Sequence, residues 1–277
     1  MRMAAINHRA VGLSGERAWD VAEASGGAFG PDPMQVLGDW GAFAAWAAGN
    51  APDGGDTYSE AELTCPVPRP PQVFGIGLNY ADHAGETAME IPDDPLVFTK
   101  FPSCIAAPNA DVPLVPGNCD WEVELVVVIG RAGRNIAAGD IADHIAGFTV
   151  GQDVSERVGQ FAGGFPQFNL GKSHRNFAPI GPAVVTLDEL DDPWDLGLTC
   201  DRNGVRVQDS RTTYFINDIP RLITYLSSIC ELLPGDIIFT GTPSGVGMGM
   251  DPPQFLAPGD VIVSAVEGLG QITNRCV

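Results

Sequence analysis

Trp121-Glu122-Val123-Glu124-Leu125-Val126-Val127-Val128-Ile129-Gly130 is the stretch on which the reading of this chain turns. It reads as a β-strand, rich in β-branched residues and ended by Gly130. Side chains alternate faces along a strand, so Glu122 and Glu124 point the same way. From Leu125 onward both faces are apolar, which predicts burial. Two carboxylates side by side at the end of a buried sheet repel each other and lose hydration unless something positive lies between them. A hard divalent cation answers that need, because Mg²⁺ and Ca²⁺ choose oxygen ligands. The alternative is a pair of glutamates on a solvated face.

Around this strand lie 277 residues, enough for one large domain or two modest ones. Apolar residues make up 44%, so a sizeable core is expected. Fifteen basic against 35 acidic residues give a net charge of −20. That balance argues against nucleic acid and against anionic membranes as partners. No apolar run is long enough to span a bilayer, and residues 1–8 carry no secretory apolar segment. Six scattered cysteines without a Cys-x-x-Cys pair predict reduced, mostly buried thiols and a cytoplasmic location.

Short β-rich runs punctuated by Gly and Pro predict strands over 73–77, 96–100, 122–129, 145–150, 183–186, 196–201, 236–240 and 261–266. Apolar spacing predicts helices over 33–48 and 216–230. Pro66-Val67-Pro68-Arg69-Pro70-Pro71 reads as an extended linker. The expected organisation is a small N-terminal α/β accessory domain, residues 1–64, ahead of a catalytic domain, residues 65–277. Many strands and few helices predict a β-rich roll or barrel, not a doubly wound sheet.

A third carboxylate, Asp153, follows the apolar run 147–152. With Glu122 and Glu124 it supplies three oxygen ligands and leaves positions open for water and a chelating substrate, as catalytic Mg²⁺ or Mn²⁺ requires. His83 and Glu86 are three residues apart; on a helical segment they share a face, and a paired carboxylate raises a histidine's basicity. The alternative is a surface histidine in a polar turn. Lys172, after Gly171, is placed to meet a carboxylate or enolate, or else belongs to a solvated turn. Arg157 and Gln160 follow closely on Asp153. Gly241-Thr242-Pro243-Ser244-Gly245-Val246-Gly247 can offer backbone N–H groups and the Thr242 hydroxyl to an anion, but lacks the lysine of a P-loop. No Gly-x-Ser-x-Gly elbow is present.

Taken together these pieces resemble the fumarylacetoacetate hydrolase family over residues 70–277. The pieces are Asn79-Tyr80-x-x-His83-x-x-Glu86, Phe98-x-Lys100-x-Pro102, Trp121-Glu122-x-Glu124, Asp153-x-Ser155-x-Arg157-x-x-Gln160, Gly171-Lys172-Ser173, Gly241-Thr242-Pro243 and Pro258-Gly259-Asp260. Each is weak alone; in this order they are specific. The resemblance implies an α+β, predominantly β fold, a mixed β-sandwich roll, usually assembled as a homodimer. It implies Mg²⁺ or Mn²⁺ on Glu122, Glu124 and Asp153, with Ca²⁺ able to stand in within crystals. It assigns catalysis to His83, Glu86 and Lys172, and substrate binding to Arg157, Gln160, Thr242, Tyr80 and Lys100.

The function expected on this basis is metal-dependent hydrolysis of a C–C bond in a 1,3-dicarbonyl or acylpyruvate-like keto acid or diketone. Decarboxylation of an oxaloacetate-type β-keto acid and isomerisation of a 2-hydroxy-dienoate use the same chemistry. A non-catalytic scaffold protein is the rival of another class. Two departures from the family's common pattern, Val158 and the run His174-Arg175-Asn176, remove acidic residues and suggest a substrate differing in size or charge from the usual diacids.

Overall fold

The computed structural model describes residues 1–81, 93–163 and 166–277. The expected His83–Glu86 pair lies outside them. In chain order the N-terminal strands are β1 (Arg2–Ile6), β2 (Arg9–Ser14), β3 (Arg17–Asp20), β4 (Asp56–Thr57) and β5 (Leu63–Thr64). Then come β6 (Val73–Gly77), β7 (Leu96–Thr99), β8 (Ile105–Ala106), β9 (Cys119–Asp120), β10 (Val123–Ile129), β11 (Ile145–Gln152), β12 (Ser155–Glu156) and β13 (Ala178–Val185). β14 (Gly197–Arg202), β15 (Val205–Arg211), β16 (Ile237–Phe239), β17 (Val261–Val266) and β18 (Gly270–Arg275) complete the set.

Among the described residues twelve strands form one mixed sheet in the order β4-β3-β2-β1-β13-β11-β10-β16-β6-β7, with β5 on β1 and β8 on β13. β16 runs parallel to β6, and β10 is antiparallel to both of its neighbours. A second, antiparallel sheet, β15-β14-β17-β18, packs across β10, β11 and β13. The fold is α+β and predominantly β, a sandwich whose core runs between the two sheets. β10 lies in its middle with all seven residues buried, as its two-sided apolar run requires.

Residues 1–64 do not stand apart. β1 continues the large sheet by pairing with β13, Met3 opposite Val184. Met3, Leu37 and Phe43 are fully buried in the same core as β10. Val67, inside the proline-rich stretch read as a linker, is also fully buried in that core. The helix expected over 33–48 is two helices, Pro33–Gly38 and Trp40–Asn50, divided at Asp39. Asp32 caps the first by accepting from Met34 N at 3.0 Å. The helix Ile219–Ile229 is capped by Asp218 and buries Ile219, Leu222, Ile223 and Leu226. The six thiols are free, and all but the half-buried Cys230 are buried.

Candidate active site

Antiparallel pairing of β10 with β11 sets Val123 opposite Gln152. The next step of the ladder brings Glu122 and Asp153 together at the sheet's end, where Asp153 N donates to Glu122 O at 2.9 Å. Glu124, one step inside, joins them. Carboxylate oxygens of the three lie within 4.8 Å of one another, and all three residues are buried. Gln152 fixes the entry to β10: its side-chain oxygen accepts from Glu122 N, and its amide donates to Ser264 Oγ at 2.8 Å.

The cations at this cluster are shared unevenly. Lys172 Nζ donates to Glu122 Oε2 at 2.6 Å, to Asp153 Oδ2 at 2.7 Å and to Ser155 Oγ at 2.7 Å. Lys100 Nζ donates to Asp153 Oδ1 and to Phe177 O. Glu124 accepts from the Gly241 N–H at 2.7 Å. Burial, with Asp153 and Glu122 adding to it, holds the Glu124 carboxyl well above the usual carboxylate range. Burial works against the charge on Lys172, but Asp153 and Glu122 outweigh it and raise the ammonium above its ordinary value. Three hard oxygen donors converging on one buried spot suit Mg²⁺ or Mn²⁺, so the residues fit such an ion.

Lys172 arrives on the short helix Phe168–Gly171, packed against the helix Arg157–Gln160. A Cβ on Gly171 would stand 2.8 Å from both Gln160 N and Glu156 O, so the Gly before the lysine is what lets the two backbones meet. Glu156 caps the second helix, accepting from Val158 N at 2.8 Å and Gly159 N at 2.6 Å. That helix delivers Arg157 and Gln160 to a narrow cavity of about 40 Å³ beside the carboxylates. Glu122, Arg157, Gln160, Lys172 and Thr242 form its polar wall; Phe98, Phe161, Phe168 and Met248 contribute to its apolar wall. Thr242 Oγ1 donates to Val123 O at 2.9 Å and accepts from Gln208 Nε2 at 2.8 Å.

Several sequence expectations land elsewhere. Lys100 is not on the cavity wall; it sits behind Asp153 and holds that carboxylate in place. Tyr80 is fully buried, its ring packed on Phe215, and is also absent from the wall. The glycine-rich loop gives its N–H groups to protein carboxylates: Gly241 to Glu124, Gly247 and Met248 to Asp120. Val158 is exposed, and neither it nor His174-Arg175-Asn176 lines the cavity, so the inference of an unusual substrate from those positions loses its basis. Asp120 was missed altogether. The signal was available: it precedes Glu122 by two residues, in the step that pairs Glu122 with Glu124.

Comparison with known proteins bears on the same residues. A sequence model of the fumarylacetoacetate (FAA) hydrolase C-terminal family matches residues 72–277. A mitochondrial oxaloacetate tautomerase of Bos taurus is 45% identical over 221 residues, covering 79% of this chain and 70% of that protein. A crystal structure of a Mycobacterium smegmatis protein, provisionally called HpcE, superposes with a TM-score of 0.96 at 50% identity, over 100% of this chain and 99% of the other. Maleylpyruvate hydrolase from Sphingobium sp. SYK-6, solved with manganese(II) and pyruvate, superposes with a TM-score of 0.81 at 26% identity, over 100% and 99%. With the match spanning most of its length and the acidic triad in place, this chain belongs to the fumarylacetoacetate hydrolase family.

Proposed function

We propose that this chain is a divalent-metal-dependent enzyme that tautomerises a small 2-oxo acid of the oxaloacetate type. The reaction moves one proton between the carbon flanked by two carbonyl groups and the oxygen of the enol. The observation that carries this reading is Lys172: a buried amine whose Nζ is locked by Glu122, Asp153 and Ser155 on the wall of a narrow cavity. A fixed buried cation is placed to stabilise an enolate oxygen, whose charge appears only as the C–H bond breaks. A divalent ion on Glu122, Glu124 and Asp153 would supply Lewis acidity to a chelating oxo acid. Arg157, Gln160 and Thr242 orient the acid's oxygens, while Phe98, Phe161 and Phe168 exclude water. The name of the 45% identical bovine relative supports the same reaction class.

Hydrolytic cleavage of an acylpyruvate is the second reading. The His83–Glu86 spacing favours it, because a carboxylate-backed histidine suits water activation. Purified protein with Mn²⁺ would be given enol oxaloacetate and an acylpyruvate panel, with products identified by mass spectrometry. Tautomerisation predicts faster enol–keto relaxation, abolished by a chelator, with no carbon–carbon cleavage. Cleavage products without faster relaxation would establish the hydrolase instead. In that case His83→Ala should abolish turnover while leaving Mn²⁺ binding intact; unchanged turnover would remove His83 from the mechanism.

A further inference from the structure

We infer that Asp120 is a positioning residue for the metal centre: it holds Arg157 so that Glu122 is released to a divalent cation. Asp120 is fully buried at the end of β9 and does not line the cavity. β9 pairs with β12, Asp120 opposite Ser155, which sets it beside the start of the helix that carries Arg157. Asp120 Oδ2 accepts from Arg157 Nε at 2.9 Å and from Nη2 at 2.7 Å. Arg157 Nη1 lies 2.7 Å from Glu122 Oε1. One guanidinium is therefore shared between a candidate metal ligand and a carboxylate outside the metal cluster.

The sharing matters because Arg157 is buried and cannot lose its charge. A cation that takes Glu122 draws that carboxylate away from Arg157. Left without another anion, the guanidinium would be an uncompensated buried charge, which is strongly unfavourable. It would then compete with the metal for Glu122. Asp120 removes the competition by offering Arg157 a second, permanent partner. Its own position is fixed independently of Arg157. Trp121 N at 2.8 Å and Gly247 N at 2.7 Å donate to Oδ1, and Met248 N at 3.0 Å donates to Oδ2. The bonds from Gly247 and Met248 also seat the loop that places Met248 on the cavity wall. The arrangement is an outer partner that orients and frees an inner ligand.

This rests on the triad being a metal site, and calorimetric titration with Mn²⁺ separates the two ideas. The unsubstituted chain, Asp120→Asn, Arg157→Gln and the double variant are titrated under the same conditions, with thermal melting as a check on folding. Asp120→Asn is expected to weaken Mn²⁺ binding about tenfold. The double variant should recover most of that loss, since the competing cation is gone, and Arg157→Gln alone should bind at least as tightly as the unsubstituted chain. A purely structural Asp120 would give no such recovery. Unchanged affinity in Asp120→Asn, or a double variant as weak as the single one, overturns the proposal. If Asp120→Asn does not fold, Arg157→Gln decides: weaker binding overturns the proposal, equal or tighter binding supports it. Absence of Mn²⁺ binding by the unsubstituted chain sinks the metal reading itself, and this proposal with it.

Discussion

At the scale of single residues the chemistry rests on charges taken out of water. Lys172 answers Glu122 and Asp153 together, so Lys172→Met should leave two buried carboxylates crowded and an enolate unsupported. Removing one such preorganised donor costs on the order of 10²-fold in kcat; steady-state kinetics on variant protein shown to be folded would check it. A kcat within a factor of about three of the parent would remove Lys172 from the reaction. The triad was legible in the sequence because strand alternation places Glu122 with Glu124, and the run before Asp153 ends a second strand; Lys172 stood open between a substrate contact and a solvated turn until the family resemblance marked it. Lys100 was misplaced because its distance from Asp153 in sequence hides a direct bond. Asp120 was missed despite standing two residues before Glu122, because the groups that define its role, the N–H groups of residues 247 and 248 and the Arg157 guanidinium, are distant in sequence.

At the scale of elements two short helices set the site. Gly171→Ala would push a methyl group against the backbone of Gln160 and Glu156, where nothing flexible can yield. A loss of about 1–3 kcal/mol in stability is expected from such overpacking, with reduced turnover as Lys172 shifts; denaturant titration and kinetics would test both. Glu156, which caps the other helix, gives a pH-dependent prediction. Burial raises its pKa, but backbone N–H groups of Asn118, Gly159 and Val158 outweigh that and hold it below the ordinary glutamate value. Its stabilising contribution is therefore complete above that value and fades as pH falls through the lower folded-state pKa. The difference in Tm between the parent and Glu156→Ala should be largest near neutrality and shrink in acid; a gap that is constant with pH would contradict this. Strand prediction succeeded where apolar residues cluster, as at β6 and β17, whose bounds were read correctly. It failed at β15, whose residues are largely polar, although Asn203-Gly204 before it, both at positive φ, is a hairpin signal. It began β13 late because Gly181-Pro182 interrupts the run.

At the scale of the whole molecule the N-terminal strands and the site share one core. Deleting residues 1–64 would leave β13 without its β1 partner and uncover Val184 and Val185. An exposed apolar edge of that kind favours association, so the truncated chain should aggregate, while the full chain should unfold in a single transition. Scanning calorimetry and light scattering would show it, and a soluble truncated chain with the parent's Tm would argue for two independent domains. Shared packing of this sort is invisible in a linear sequence, where the prolines of 66–71 look like a boundary. Among the described residues no helix is long and apolar enough to cross a membrane. The central claim is that Glu122, Glu124 and Asp153 grip one divalent ion. Anomalous diffraction from a crystal grown with Mn²⁺ tests it most directly. The account predicts one strong peak about 2.0–2.3 Å from an oxygen of each of the three carboxylates; no peak there, with Lys172 still bonded to Glu122 and Asp153, would contradict it.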